Sequence, residues 1–183
     1  MEKEKLSVGI AGYGVVGKRR RLFIDQNPRL LTVAVCDKNF TEVGTLSDGV
    51  RCFPTYHQLL EEPLDILFVS LPNYLAADVT IAGLDKNFHV FCEKPPGRDI
   101  DDIKRVIEVE QKSSELLLKY GFNHRYHDSV RKALQIVQSK ELGEIVNLRG
   151  VYGKSKIIPF SGGWRAERKY AGGGILLDQG LHM

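Results

Sequence analysis

The chain has 183 residues, of which 43% are hydrophobic and 27% are charged, and its formal net charge at pH 7 is +3. This composition is typical of a soluble globular protein, and so small a positive charge does not by itself indicate a nucleic-acid partner. No apolar run approaches the length of about 20 residues that a membrane-spanning helix needs, and no secretory signal peptide is visible. The three cysteines, Cys36, Cys52 and Cys92, form no CxxC pair. We interpret them as reduced thiols in or near the core of a cytoplasmic protein.

Strand-like and helix-like segments alternate along the first part of the chain. Strands are predicted over residues 6–12, 30–37, 65–73, 89–95 and 116–123. Between them, helices are predicted over residues 15–28, 55–62 and 76–87, and a further helix begins after an N-cap at Asp99. Apolar strands separated by helices indicate a parallel sheet covered on both faces. The sequence therefore predicts an α/β fold of the doubly wound Rossmann type over residues 1–122.

The pattern changes after residue 122. A helix is predicted over residues 129–143, an alternating half-exposed strand over residues 144–154, and a glycine-punctuated loop over residues 157–174. Ile175 to Met183 then resembles the opening of another helix. No partner strands follow residue 154, so residues 123–183 are expected to be the incomplete beginning of an α+β substrate and oligomerisation domain.

A glycine loop follows the first predicted strand. It has the form GxGxxG and comprises Gly12, Tyr13, Gly14, Val15, Val16 and Gly17. Between a strand and a helix, the first glycine permits a tight turn, the second lets the backbone approach a pyrophosphate, and the third lets helix and strand pack closely. The basic run Lys18 to Arg21 follows, either as a solvated helix face or as a source of one phosphate contact.

An acid at the end of the second predicted strand bears on the choice of cofactor. Asp37 lies where a carboxylate can accept hydrogen bonds from both ribose hydroxyls of an adenosine and would repel a 2′-phosphate, which favours NAD over NADP. The neighbouring Lys38 could reverse this preference by pairing with that phosphate. Asp37 could instead be only a turn residue.

Two further groups of residues indicate acid/base chemistry. Glu93, Lys94 and Pro95 end a buried strand, and ligands of such sheets bind outside the carboxyl ends of the strands. Asp178 and His182 are four residues apart and would share one face of a helix. They could be a helix N-terminal acid and a core histidine, or metal ligands, but no third ligand follows at a suitable spacing. Together with Lys94, they favour proton transfer over both alternatives and predict no metal site.

These motifs resemble the Gfo/Idh/MocA oxidoreductases, the family of glucose–fructose oxidoreductase and inositol dehydrogenase. The matching stretches are AGYGVVG, SLPNYLAA, HVFCEKP, GFNHRY, ELGEIVNLRGVYG and GGWRAERKYAGGGILLDQGLH. The resemblance implies an NAD(P)-dependent oxidoreductase that acts on a sugar, nucleotide-sugar or cyclitol and forms homo-oligomers at full length. It also implies that family members continue beyond Met183, so we expect a truncated member.

The resemblance implies a role for each matching residue. Lys94 would hold the reacting hydroxyl or carbonyl, His182 would exchange its proton, and Asp178 would lie beside them. Glu93 would lie near the nicotinamide ribose or carboxamide. The remaining cofactor contacts would come from Ser70, Leu71, Pro72, Asn73, Trp164 and Arg165. Asn123 and Arg125 would face the substrate.

The chain departs from the family pattern at two places. Ala76 stands where the family often has histidine, and Asn87-Phe88 precedes "HV" where a glycine is usual. Two other functions remain open. One is an NAD(P)-binding regulator without catalysis, although such a protein would lose the Lys94, Asp178 and His182 set. The other is an inactive fragment that binds the cofactor without turnover.

Overall fold

A computed structural model describes residues 5–153 and 163–182. Parts of three predictions lie outside these ranges: the end of the strand at 144–154, residues 157–162 of the predicted loop, and Met183.

Seven strands form one sheet in the order β3-β4-β2-β1-β5-β6-β7. All neighbouring pairs are parallel except β3 with β4. The strands are β1 (Leu6–Ala11), β2 (Leu30–Cys36), β3 (Gly44–Thr45), β4 (Arg51–Phe53), β5 (Ile66–Val69), β6 (His89–Cys92) and β7 (Leu118–Tyr120). The predicted parallel α/β sheet is confirmed. The short strands β3 and β4 were not predicted, because two or three residues carry too little periodicity.

The helices connect the strands and continue beyond them. They are α1 (Val15–Gln26), α2 (Tyr56–Leu59), α3 (Asn73–Asp85), α4 (Ile100–Glu110), α5 (Asp128–Ser139), α6 (Arg168–Ala171) and α7 (Gly174–Asp178). In the part of the chain that the structure describes, 3₁₀ turns lie at Asn123–Tyr126, Trp164–Ala166 and Gly180–His182.

Alternating residues of the central strands supply two apolar layers. Val8, Ile10 and Val35 pack with Ile24 of α1 in one layer. The other layer includes Leu67, Val69 and Val90 with Val79 of α3. Side chains point to opposite faces of a strand at every second residue, so one sheet builds both layers. Full burial of each such side chain contributes about 1.5–3 kcal/mol to folding.

Backbone hydrogen bonds continue past the carboxyl ends of the central strands. Gly12 N–H donates to the Cys36 carbonyl (2.9 Å), and Ser70 N–H donates to the Ala11 carbonyl (2.7 Å). Glu93 N–H likewise donates to the Val69 carbonyl at 2.8 Å. These bonds hold the glycine loop, the segment after β5 and the Glu93-Lys94 segment along one edge of the sheet.

The strand prediction for residues 144–154 is wrong for the residues that the structure describes. Residues 144–153 form neither strand nor helix, and Val146 and Leu148 are 97% and 88% exposed. A strand needs a neighbour to pair its backbone groups, and none of the seven strands lies beside this segment. Alternating hydrophobicity alone therefore did not produce a strand.

The prediction that Asp178 and His182 share one helix face is also wrong. Helix α7 ends at Asp178, and a 3₁₀ turn carries His182. His182 N–H donates to the Gln179 carbonyl (3.0 Å), three residues back instead of four. The tighter turn changes the direction in which His182 leaves the backbone.

Candidate cofactor and active site

The glycine loop has the backbone geometry that its spacing predicts. Gly12 has φ = +92°, and a Cβ there would collide with the Ser70 carbonyl oxygen. A Cβ on Gly17 would collide with the Gly12 carbonyl oxygen, whereas a Cβ on Gly14 would meet no atom within 4 Å. Gly14 precedes α1 and provides no side-chain cap for its first N–H groups. The loop therefore fits a dinucleotide pyrophosphate, since backbone donors adjoin open space at the end of the helix dipole.

Asp37 lies beside the glycine loop at the end of β2. Its N–H donates to the Phe53 carbonyl (3.1 Å), and the Tyr13 N–H donates to the adjacent Cys36 carbonyl (3.0 Å). The Asp37 Oδ1 accepts hydrogen bonds from the Asn39 N–H (3.0 Å) and from the Asn39 Nδ2 (2.7 Å). The carboxylate is thus held in one orientation, while Lys38 is exposed. The contact of Asn39 with Asp37 was not predicted, although the Asp-x-Asn spacing is a recognisable turn signal.

The basic run is not simply a solvated helix face, because Arg20 and Arg21 both have carboxylate partners. Arg21 donates to the Tyr13 hydroxyl (2.8 Å), to Asp25 (3.0 Å) and to Asp48 (2.5 Å). Arg20 donates through Nε to the Glu93 carboxylate. The run therefore links α1 to Tyr13 of the glycine loop and to Glu93 after β6, contacts that sequence spacing alone did not predict.

The lysine of the Glu93-Lys94-Pro95 motif contacts the distant acid that was grouped with it. Lys94 Nζ donates to the Asp178 carbonyl oxygen (2.6 Å) and to its Oδ1 (3.2 Å), across 84 residues of sequence. The two side chains are 16% and 35% exposed, so the pair remains accessible from solvent. A lysine ammonium beside a carboxylate at the carboxyl edge of a parallel sheet is suited to binding a polar reacting group.

A small cavity beside Asp178 brings three more predicted residues, Asn73, Trp164 and Arg165, to this edge. It is lined by Asn73, Trp164, Arg165, Ala171, Gly174, Ile175 and Asp178. Asn73 is buried at the start of α3, and its Nδ2 donates to the Ala171 carbonyl at 2.9 Å. The Trp164 ring packs edge-on at 6.3 Å from Tyr74, and the Arg165 guanidinium lies 4.3 Å from the Trp164 ring centroid.

The segment after β5 closes the cleft beside the glycine loop. A Cβ on Gly12 would lie 3.0 Å from the Leu71 side chain as well as against Ser70. Pro72 precedes the first residue of α3. Ser70 and Leu71 thus adjoin the glycine loop, and Pro72 leads into α3.

His182 lies beside a second histidine. The His124 Nδ1 is 3.1 Å from the His182 carbonyl oxygen, and the two ring centroids are 4.4 Å apart. Because a carbonyl only accepts, His124 Nδ1 carries the proton in this contact. Asn123 and Arg125 are exposed on the same 3₁₀ turn, and His124, between them, is the residue that reaches His182. This contact was not predicted, because no local pattern relates two residues that are 58 positions apart in the sequence.

The cysteines are free and buried, as interpreted from the sequence. Burial raises the pKa of Cys36 to about 11 and that of Cys92 to about 12. Across residues 5–153 and 163–182, no group of three His, Cys, Asp or Glu residues is arranged to hold a metal ion. None of the helices in these ranges is long and apolar enough to cross a membrane.

Two family models together match most of the chain. Residues 6–122 match the oxidoreductase family with an NAD-binding Rossmann fold, and residues 130–183 match a GFO/IDH/MocA C-terminal domain. The chain belongs to the Gfo/Idh/MocA oxidoreductase family. It therefore carries the family's NAD-binding Rossmann domain, and the first match starts with β1 and ends two residues after β7.

This Gfo/Idh/MocA chain is similar in sequence and in fold to several known proteins. It is 29% identical over 160 residues to inositol 2-dehydrogenase of Salmonella paratyphi B, covering 84% of this chain and 48% of the relative. The Lactobacillus casei scyllo-inositol dehydrogenase, solved with NAD(H) and scyllo-inositol, is 25% identical with a TM-score of 0.67, covering 76% of this chain and 42% of that one. An oxidoreductase of Desulfitobacterium hafniense shares the fold over 98% of this chain and 53% of its own, with a TM-score of 0.76 at 21% identity. The chain spans about half the length of the curated relatives it matches.

Proposed function

We propose that this chain is the cofactor-binding part and the first substrate-domain segment of an NAD(P)-dependent dehydrogenase or reductase. The reaction is hydride transfer between nicotinamide and a hydroxyl or carbonyl of a sugar, nucleotide-sugar or cyclitol. The fixed Asp37 carboxylate favours NAD, with NADP as the alternative.

The contact of Lys94 with Asp178 carries this proposal. It joins a residue at the end of β6 to one at the end of α7, next to the cavity lined by Asn73 and Trp164. The glycine loop lies along the same sheet edge, which supports the proposal that the cofactor binds beside the Lys94–Asp178 pair. A regulator that only binds the dinucleotide has no need of this juxtaposition.

The chain's own residues divide the chemistry between them. A bound nicotinamide would supply the hydride acceptor or donor. The Lys94 ammonium would hold the substrate oxygen and stabilise negative charge that develops on it during oxidation. Asp178 holds the Lys94 Nζ in place through two contacts. His182 would take or return the hydroxyl proton, since imidazole changes its charge near neutral pH.

The domain boundary and cellular setting belong to the same proposal. We place a dinucleotide-binding domain at residues 1–122 and the beginning of a substrate and oligomerisation domain at residues 123–183. The two family matches support this division, because they meet between residues 122 and 130. We also propose a cytoplasmic location, which the three free thiols support, and a homo-oligomer for the whole protein.

The first test is a cofactor titration followed by a substrate screen. We expect the fluorescence of NADH to report its binding to the 183-residue chain. Cyclitols, free sugars and nucleotide-sugars are then tested for turnover. Binding without turnover of any class would support a cofactor-binding regulator or an inactive fragment instead. Failure to bind either NADH or NADPH would overturn the proposal altogether.

The second test assigns the chemistry to residues. Lys94→Ala and His182→Ala should leave the cofactor Kd nearly unchanged and reduce kcat, for His182 by about 10²–10⁴-fold as for other general acid/base groups. The exposed Lys104 and His57 provide matched controls, and their alanine variants should keep wild-type turnover. Normal turnover in both active-site variants would show that the proposed mechanism is wrong.

A further inference from the structure

The Glu93 side chain has an ionic partner on the helix that follows the glycine loop. Arg20 of α1 donates through Nε to the Glu93 Oε1, across 73 residues of sequence. The side chains of Arg20 and Glu93 are 31% and 16% exposed, so solvent screens the pair only in part.

The surroundings of Glu93 hold this pair in one place. The Arg20 guanidinium carbon lies 4.9 Å from the centroid of the Phe91 ring, which stacks on Phe68 at 4.9 Å. A Cβ on Gly121 would lie 2.9 Å from the Glu93 Oε2 and 3.3 Å from the Phe91 ring. The Glu93 carboxylate therefore occupies the space that the missing side chain of Gly121 leaves open. The Glu93 backbone N–H donates a hydrogen bond to the Val69 carbonyl oxygen.

The two charges of the Glu93-Lys94 pair are balanced by different parts of the fold. Lys94 contacts Asp178 at the end of α7, whereas Glu93 contacts Arg20 of α1. The two residues are consecutive and just past the end of β6, at the edge where the cofactor is proposed to bind. Removing Arg20 would thus leave a partly desolvated carboxylate at this edge without removing any group assigned to the chemistry.

We propose that Arg20 is the counter-ion that neutralises Glu93 at the nicotinamide end of the cleft, and that this pair sets the relative affinity for the oxidised and reduced cofactor. The inference rests on the proposed function, since it assumes that a nicotinamide dinucleotide binds here with its nicotinamide beside Glu93. The oxidised ring carries a positive charge and the reduced ring carries none. An unpaired Glu93 carboxylate therefore favours the oxidised form, and an unpaired Arg20 disfavours it.

The experiment compares the dissociation constants of NAD⁺ and NADH by calorimetry, so it needs no substrate and no turnover. In Arg20→Met, the ratio Kd(NADH)/Kd(NAD⁺) should rise by about 3- to 10-fold, because the carboxylate loses its counter-ion. In Glu93→Gln, the same ratio should fall. In the double variant, the ratio should return to within about twofold of the wild-type value, since both charges are gone.

Two further variants separate the pair from simpler effects. Arg19→Met removes an equal charge from an exposed position on the same helix, and it should leave the ratio within about twofold of the wild type. Arg20→Lys retains the charge and should stay closer to the wild type than Arg20→Met. If Arg20→Met does not fold, as judged by its thermal unfolding curve, the fall in Glu93→Gln and the unchanged ratio in Arg19→Met decide the question.

The outcomes distinguish this inference from the proposed function. Equal weakening of NAD⁺ and NADH by Arg20→Met, or an equal shift in Arg19→Met, would overturn the inference and leave cofactor binding intact. Shifts of the same sign in Arg20→Met and Glu93→Gln would also overturn it. A wild-type chain that binds neither cofactor would overturn the proposed function and this inference with it.

Discussion

Asn87 illustrates, at the scale of a single residue, how the backbone accommodates a departure from the family pattern. It follows the C-cap of α3 and has φ = +61°, in the left-handed region. Glycine, which the resemblance implies near this point, adopts such a φ without strain, and asparagine is among the side chains that tolerate it best. The substitution therefore keeps the turn that brings Phe88 back into the core.

A prediction about stability follows from the conformation of Asn87. Asn87→Gly should change the free energy of unfolding by less than about 1 kcal/mol, whereas Asn87→Val should lower it by about 1–2 kcal/mol, because a β-branched side chain is strained at this φ. Urea unfolding measures both. Lys86→Val, at φ = −85°, is the matched control and should have a smaller effect than Asn87→Val. Equal losses at the two positions would contradict the argument from backbone geometry.

The proposed role of the Asp37 carboxylate leads to a prediction about cofactor preference. Asp37→Ala should weaken NADH binding and raise the affinity for NADPH relative to NADH, because both the hydrogen-bond acceptor and its repulsion of a 2′-phosphate are lost. Fluorescence titration with the two reduced cofactors measures the change. Asp85→Ala, at an exposed acid on α3, should leave both affinities unaltered. If Asp37→Ala lowered the affinities for NADH and NADPH by the same factor, Asp37 would have no role in selectivity.

The buried thiols lead to a prediction about reactivity. Because the pKa of Cys36 is raised to about 11 and that of Cys92 to about 12, little thiolate forms at pH 8. Alkylation with iodoacetamide, followed by mass spectrometry, should therefore be slow in the native protein and at least tenfold faster in denaturant. Rapid native labelling of either residue would show that its surroundings open readily.

Helix α4 shows how an element is defined by its first turn. The Asp99 side chain accepts hydrogen bonds from the backbone N–H groups of Asp101 (3.1 Å) and Asp102 (3.0 Å), which confirms the predicted N-cap. Asp102 is itself buried and accepts from the Arg98 backbone N–H (3.0 Å) and from the Arg98 Nε (3.0 Å). The second acid thus ties the start of the helix to the chain that precedes it.

This arrangement predicts how the stability of the protein depends on pH. Hydrogen bonds from the Arg98 side chain lower the pKa of Asp102 below its ordinary value of about 3.9. Its stabilising contribution is therefore fully present above about pH 4 and is lost as the pH falls through the lower folded-state pKa. Asp102→Asn should lower the free energy of unfolding at pH 7 by about 1–3 kcal/mol, and the difference from the wild type should shrink as the pH falls below 4.

A matched control for this pH prediction lies one residue earlier. Asp101→Asn removes the same charge from the same helix turn, but the Asp101 side chain is 83% exposed. Chemical unfolding at pH 7 and at pH 3 should therefore show a smaller loss for Asp101→Asn. If both variants lost equal stability at pH 7, the effect would come from the helix dipole instead of the buried pair.

At the scale of the whole molecule, residues 163–182 pack on the Rossmann domain, whereas residues 141–153 are exposed. Residues 163–182 contact the first domain through the Asn73–Ala171 and Lys94–Asp178 hydrogen bonds. A Cβ on Gly172, at φ = +80°, would collide with the Arg98 carbonyl oxygen, so the backbones approach closely there. By contrast, residues 141–153 are all exposed.

This contrast predicts the order of proteolysis. Limited trypsin digestion, followed by mass spectrometry, should cut residues 140–153 first and leave a protected core that includes β1 to β7, because exposed segments with few contacts open most easily. Residues 163–182 should be lost later, and more slowly in the presence of NADH. First cuts inside the sheet, or uniform resistance along the chain, would contradict this division of the molecule.

Local sequence alone determined much of this protein. The spacing of Gly12, Gly14 and Gly17, the apolar strands and the cap at Asp99 report backbone and burial requirements within short windows, and the parallel sheet and the glycine turn were predicted from them. The resemblance of several separate motifs to the Gfo/Idh/MocA oxidoreductases predicted the family, and the family matches confirm it.

Only the tertiary structure decided which distant residues meet. The contacts of Arg20 with Glu93 and of His124 with His182 join separate elements, and no periodicity encodes such pairs. The proximity of Lys94 and Asp178 was implied by the resemblance alone, and the tertiary structure supplied the contact itself. It also decided that residues 144–153 form no strand and that His182 lies on a 3₁₀ turn, since strand pairing and helix continuation depend on neighbours far along the chain. Local propensity acts within a few residues, whereas pairing of charges and strands is settled by packing of the whole fold.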